Sequence, residues 1–302
     1  MLLFLPIAEM AVHAEIILAL GMFVGILSGL FGVGGGFMLT PLLIFIGIPP
    51  AVAVGTQANQ IIAPSLTGVM SHWKNGNVDA RMGNVMLLGG LLGTLIGIGI
   101  FRLLQLLGQI DLVIAILYIV LLGTIGSLML YESLRTWMRR GKTQNKKQLK
   151  DHPFIRRLPW KMRFPHSRLY ISALLPGGIG FLGGLMISIM GIGGGFFLVP
   201  AMIYLLGMPI LLVAGTSLYQ LIFTSAFATI LHATLNQTVD LILALLLICG
   251  GVVGVQIGIA MAKRMKGSWA RIFLALIILA VAVKLAGDLL IEPSERFSTE
   301  VW

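Results

Sequence analysis

Residues 31–43 read FGVGGGFMLTPLL, and residues 190–202 read MGIGGGFFLVPAM. Each sets three adjacent glycines inside an apolar run of helix length: Gly34, Gly35 and Gly36 in the first, Gly193, Gly194 and Gly195 in the second. A glycine inside a helix costs about 1 kcal/mol relative to alanine, so each run is expected to break in its middle. One such break is a weak signal. Two, in matching surroundings, divide the chain into related halves.

The match extends outward from the glycines. Pro41 lies over Pro200 and, after one inserted residue, GIPPAVAVGTQANQ (47–60) lies over GMPILLVAGTSLYQ (207–220). Thr56 then meets Thr216, Gln60 meets Gln220, Ser65 meets Ser225 and His72 meets His232, and GGLLGTLIG (89–97) lies over GGVVGVQIG (250–258). So many matches in order make an internal duplication.

The composition states the environment. Of 302 residues, 58% are hydrophobic and 11% charged, with a mean hydropathy of +0.99. A soluble domain is about a quarter charged, so there is too little polar surface here to cover a water-soluble globule. Apolar runs of about 18–20 residues, the length that crosses a bilayer, recur throughout. The expected fold is an all-α polytopic membrane protein of 8–10 transmembrane helices, in two repeats of about five segments. These segments are 15–31, 36–47, 54–71, 83–101 and 111–129, then 169–190, 196–206, 211–231, 241–262 and 270–290. The N-terminus, MLLFLPIAEMAVHAE, has no Lys or Arg ahead of its apolar stretch, so no cleavable signal peptide is read. Cys249 is the single cysteine and reads as a small core residue, with no disulfide and no metal-ligand spacing.

The net charge of +10 is concentrated. Of 21 Lys and Arg, 12 lie between Arg135 and Arg168, accompanied by one acid, Asp151. This is the pattern of a cytoplasmic loop touching anionic headgroups rather than of a nucleic-acid binder. The chain thus divides into a first membrane repeat (1–134), a basic loop (135–168) and a second membrane repeat (169–302). Equivalent loops carry opposite charge bias. HWKNGNVDAR has Lys74 and Arg81, while its counterpart HATLNQTVD has no basic residue. The next loop has Arg102 in the first copy, but Lys263, Arg264, Lys266 and Arg271 in the second. That is expected of inverted-topology repeats. Five crossings per copy place every basic cluster inside and both termini outside. Segments 36–47 and 196–206, about 18 Å as helices, must then cross with non-helical help. Eight spans with these segments re-entrant is the rival arrangement.

In hydrocarbon a broken helix survives only where protein or a watery cavity satisfies its backbone. The helical pieces that resume after GVGGG and GIGGG present free N–H groups and the positive end of a dipole, a ready anion site. In inverted copies the two breaks would meet near the bilayer midplane. Close helix packing is the competing use of glycine, and Gly89, Gly93 and Gly97 with Gly250, Gly254 and Gly258 read as packing stripes. Beyond each break stands the most polar stretch of an apolar segment. Thr56, Asn59 and Gln60 share one helix face, as do Thr216, Tyr219 and Gln220. With Gln57 and Ser217 they are candidate neutral ligands for an oxyanion, or else interhelical hydrogen bonds. His72 and His232 end these helices, as a possible proton relay or as hydrogen-bonded interfacial residues. No carboxylate sits at the middle of a segment, so the acidic chains of proton pumps are missing. Lys284 and Asp288, four apart, are expected to pair. No enzyme constellation, cofactor motif, metal cluster or P-loop is present in the sequence.

The duplicated GVGGGFMLTPLL…GIPPAVAVGTQ and GIGGGFFLVPAMIYLLGMPILLVAGTS resemble the sulfite exporter TauE/SafE family of membrane permeases, over essentially the whole chain outside the basic loop. The resemblance implies a multi-pass protein of the bacterial inner membrane that moves a small sulfur-containing anion, sulfite or an organosulfonate. Proton or sodium is the coupling ion to be expected. An anion channel, or a non-transporting assembly or enzyme component, would share the same hydrophobic architecture.

Overall fold

The computed structural model describes residues 2–31, 36–138, 159–193, 195–262 and 267–290. Gly34, Gly35 and Gly194, residues 139–158 of the basic loop, and Lys263, Arg264 and Lys266 lie outside the described residues.

The first half opens with a hairpin, β1 (Leu2–Leu5) and β2 (Met10–His13), followed by α1 (Ala14–Phe31), α2 (Gly36–Phe45), α3 (Pro50–Gln60), α4 (Ile62–Lys74), α5 (Ala80–Leu106) and α6 (Ile110–Met138). The second half repeats this order. A hairpin of β3 (Lys161–Phe164) and β4 (Leu169–Ser172) precedes α7 (Leu174–Met190), α8 (Gly195–Tyr204), α9 (Ile210–Leu231), α10 (Leu241–Ala262) and α11 (Gly267–Leu290). A single π-helical turn, His232–Asn236, extends α9. Among the described residues, five helical stretches are long and apolar enough to cross a membrane: Ala80–Leu106, Ile110–Tyr131, Leu211–Asn236, Leu241–Gly258 and Ile272–Leu290. The chain is a multi-pass membrane protein. α2 and α8, at 10 residues each, reach only about 15 Å.

Three expectations are corrected. The fold is not purely helical, because each half starts with a β-hairpin. Both hairpins turn through four residues opened by proline, Pro6–Glu9 and Pro165–Arg168, and both close on a residue at positive φ, Glu9 (53°) and Arg168 (52°). Their inward residues, Leu5 and Phe164, are fully buried, so the hairpins plug the helix bundle. The second hairpin also straddles the 168/169 boundary drawn from charge alone. Cys249 is exposed on α10 rather than in the core. Lys284 does not pair with Asp288; its ammonium sits 3.9 Å from the centroid of the Phe45 ring, tying α11 to α2 by a cation–π contact.

Glycine stripes set the main helix contacts. A methyl group on Gly89 or Gly93 of α5 would overlap the backbone carbonyls of Gly177 or Phe181 on α7. One on Gly250 or Gly254 of α10 would overlap those of Leu18 or Met22 on α1. Each stripe therefore zips one helix of one half, backbone to backbone, along a helix of the other half. A third contact joins α3 and α4 to α9 and the loop after it, with Gly55 against Thr238, Gly68 against Leu218 and Gly215 against His72. As one chain number rises the other falls, so these helices run antiparallel. α6 packs on α11 through Gly126 against Ile278 and Leu279, within a core built on Phe101, Tyr118 and Leu122.

One difference between the halves has a clear cause. α9 is continuous from residue 210 to 231, whereas its counterpart is interrupted at Ile61. Pro64 stands where the second half has Thr224. Proline has no N–H to give the carbonyl four residues back, so the ladder fails at Gln60.

Candidate functional site

The two glycine breaks come together. A Cβ built on Gly36 would lie 3.1 Å from the backbone nitrogen of Gly193, and one on Gly193 would press on the Ile61 side chain at 3.0 Å. Beside them lies a cavity of about 280 Å³ whose wall includes Gly36, Gly193 and Gly195. α2 starts at Gly36 and α8 at Gly195. Both helices thus present the positive ends of their dipoles to this region.

Several anchors hold the breaks. The Gln57 amide is spent on α2: it donates to the Gly36 carbonyl and accepts from the Thr40 hydroxyl. α7 stops at Gly191, whose φ of 67° is a left-handed cap that favours glycine. The Tyr118 hydroxyl then donates to the Met190 carbonyl at 2.5 Å, satisfying an acceptor the ended helix leaves over. Among the described residues of the second break, positive φ thus falls on Gly191 and not on Gly193 or Gly195.

The rest of the wall is mostly apolar, with a few polar side chains set into it. Gln60 and Ser65 come from the α3/α4 break, Ser28 from α1, and Ser217 and His72 from α9 and α4. The Gln60 amide bonds to no described residue. Its Nε2 hangs over Gly251, where an added Cβ would come within 2.8 Å. His72 brings an Nδ1 that is buried and has no hydrogen-bond partner. Val24, Ile61, Leu218 and Val252 supply much of the apolar side. Among the described residues no Lys, Arg, Asp or Glu lines the cavity, and the His72 imidazole forms part of its wall. Such a chamber offers donors and dipole ends to a weakly hydrated anion, and no fixed charge.

Other expected site residues are elsewhere. Thr56, Asn59, Thr216, Gln220 and His232 do not line the cavity. The Thr56 hydroxyl accepts the backbone N–H of Asp240 at 3.0 Å, and the Thr216 hydroxyl accepts that of Asp79 at 3.0 Å. His232 is sealed: Nε2 donates to the Ser188 carbonyl at 3.0 Å, Nδ1 accepts from the Asn236 amide at 3.2 Å, and its ring meets Phe101 edge-on. The two aligned histidines therefore occupy different settings. Gln220 is fully buried, and both ends of its amide lack partners.

Two carboxylates missed by the sequence reading organise this frame. Asp79 caps α5 through the Met82 N–H, and its other oxygen accepts from both the N–H (3.0 Å) and the hydroxyl (2.6 Å) of Ser167 in the second hairpin. Asp240 caps α10 through the Ile242 and Leu243 N–H groups and accepts the N–H of Ile7 in the first hairpin at 3.1 Å. Each half's carboxylate clamps the other half's hairpin. The signal was legible as Val-Asp immediately before an apolar run in both copies, a helix N-cap signature.

Comparison with known proteins adds the family. A family model described as sulfite exporter TauE/SafE matches residues 17–285. A "probable membrane transporter protein YjnA" of Bacillus subtilis is 30% identical over 272 residues, 89% of this chain and 98% of that protein. A "probable membrane transporter protein" of Xylella fastidiosa is 31% identical over 268 residues, 87% of this chain and 91% of its own length. A shorter stretch of 78 residues, 26% of this chain and 17% of the relative, is 31% identical to "sulfite exporter TauE/SafE family protein 1" of Arabidopsis thaliana. No solved structure matches the chain.

Proposed function

The chain belongs to the sulfite exporter TauE/SafE family, and from that premise we propose that it is a secondary transporter exporting a sulfur oxyanion, sulfite or an organosulfonate, by alternating access around the cavity at the paired glycine breaks. The observation that carries this is the meeting of Gly36, Gly193 and Gly195 with the unpartnered Gln60 amide at one uncharged chamber. The sulfur oxygens would take the Gln60 amide and the Ser65 and Ser217 hydroxyls, with the dipole ends of α2 and α8 beside them. A short alkyl group would lie on Val24 and Val252. Dipole ends and neutral donors suffice for a single delocalised negative charge.

The same premise extends to topology and coupling. Antiparallel packing of α3–α4 against α9, helices that align in sequence, supports two inverted repeats in a bacterial inner membrane. The basic loop then faces the cytoplasm, the first hairpin lies outside and the second inside. That agrees with the hairpin clamps, since Asp79 sits in the Lys74–Arg81 loop and Asp240 in the loop without basic residues. A proton is the coupling ion we favour over sodium, because the cavity wall offers His72 and no carboxylate.

The test is flux in proteoliposomes screened across sulfite, thiosulfate, sulfoacetate, ethanesulfonate and taurine. Saturable, counterflow-competent transport of one of these anions is expected. Unsaturable flux without counterflow would make the protein an anion channel, and no flux with any of them would point to a non-transporting role.

A further inference from the structure

The cavity has a counterpart that is shut. The sequence repeat carries Gln60 onto Gln220, Ser65 onto Ser225, Gly251 onto Gly90, Val255 onto Thr94 and Gly29 onto Ser188. In the first set these residues line an open chamber. In the second, Thr94, Ser188, Gln220 and Ser225 are each at most 0% exposed. The local geometry is the same: Gln220 Nε2 would lie 2.8 Å from a Cβ on Gly90, as Gln60 Nε2 would from one on Gly251. Thr94 and Ser188 have settled on backbone carbonyls, both reaching that of Gly184.

Gln220 and Ser225 have not settled. Neither end of the Gln220 amide has a hydrogen-bond partner, and neither does the Ser225 hydroxyl. A buried amide left unpaired is destabilising, and leucine would fill nearly the same volume without that cost. Polar groups retained in such a place have work in some other arrangement of the chain. The partners of their repeat-mates indicate which. Gln60 and Ser65 face the chamber, and the helices around them form two zipped pairs, α1 with α10 and α5 with α7, each a unit held by backbone contact at glycines.

We infer that Gln220 and Ser225, with Thr94 and Ser188, form a second oxyanion half-site, the closed twin of the chamber, which opens toward the opposite face while Gln60 and Ser65 close. This rests on the reading of the chamber as the cargo site of an inverted repeat. As α5 and α7 draw away from α9, the Gln220 amide and Ser225 hydroxyl are uncovered. As α1 and α10 close on α4, the Gln60 amide and Ser65 hydroxyl are covered. The anion is handed between two equivalent glutamines.

The experiment uses the full chain in a Cys249→Ser background, reconstituted in liposomes, with Ser65→Cys and Ser225→Cys made singly. A membrane-impermeant maleimide is added from either face, with ethanesulfonate as the probe anion. Ser65→Cys is expected to react from one face, Ser225→Cys from the other, and ethanesulfonate to slow both. Reaction of both from one face, or no reaction of Ser225→Cys during turnover, overturns the proposal. Gln220→Leu provides a second measurement: melting temperature equal to or above the parent, with flux reduced at least ten-fold. Parental flux in Gln220→Leu with impaired flux in Gln60→Leu overturns the twin alone. Parental flux in both overturns the twin together with the cargo reading on which it rests.

Discussion

Asp79 and Thr216 stand in opposite halves of the chain, yet the backbone N–H of the first donates to the hydroxyl of the second at 3.0 Å, deep in the protein. Asp240 and Thr56 make the reciprocal bond at 3.0 Å. Both threonines are fully buried. Both threonine hydroxyls hold the carboxylate loops in register.

Thr56→Val and Thr216→Val keep the volume and delete the acceptor. Each strands a buried N–H, which costs about 1–3 kcal/mol. Lower melting temperature with unchanged anion affinity in the folded fraction is expected. A ten-fold loss of affinity at parental stability would return these threonines to the cargo site.

Gln60 and Gln57 separate in the opposite sense. Gln60→Ala removes a chamber donor, and losing one hydrogen bond to a charged ligand, about 1.5–3 kcal/mol, weakens binding roughly ten- to hundred-fold. Gln57→Ala frees the start of α2 from α3 and is expected to lower the melting temperature. Equilibrium binding beside thermal unfolding distinguishes the two.

Gly191→Ala forces an L-residue to φ near 67°, costing about 1–2 kcal/mol for the backbone alone. Its new methyl would also meet the Val54 carbonyl at 2.9 Å. Gly178→Ala in the same helix is the control, with nothing within 4 Å of the added atom. Thermal scans are expected to show a loss for the first and none for the second.

For topology, single cysteines at Gln144 and Leu235 in the Cys249→Ser background are expected to label from the cytoplasm and from outside, respectively. Labelling of position 235 from the cytoplasm would exclude five crossings per half.

Element positions were largely readable from hydropathy. The segment read as 241–262 is α10, and those read as 36–47 and 196–206 overlap the two ten-residue helices. The hairpins escaped because a four-residue strand beside a long apolar run has no periodicity of its own; only the proline before each turn marked them. Within the site, Gln60, Gly36, Gly193, Gly195, Ser217 and His72 line the chamber. Thr56 and Thr216 do not, because a hydroxyl on a helix face reads the same whether it meets a ligand or a neighbouring N–H. Gln57 has the same ambiguity. Pairing across the halves, rather than the pattern within either, decides such residues.

The crosswise clamps bear on how the chain is made. When the first half has been translated and inserted, Ile7 has no Asp240, Thr56 has no Asp240 N–H, and Asp79 has neither Ser167 nor Thr216. Its hairpin and its α5 cap remain incompletely bonded until the last third of the sequence leaves the ribosome. Neither half therefore completes its own clamps, although each contains a full copy of the repeat. A half-length chain with this architecture would have to find its clamps on a second copy of itself.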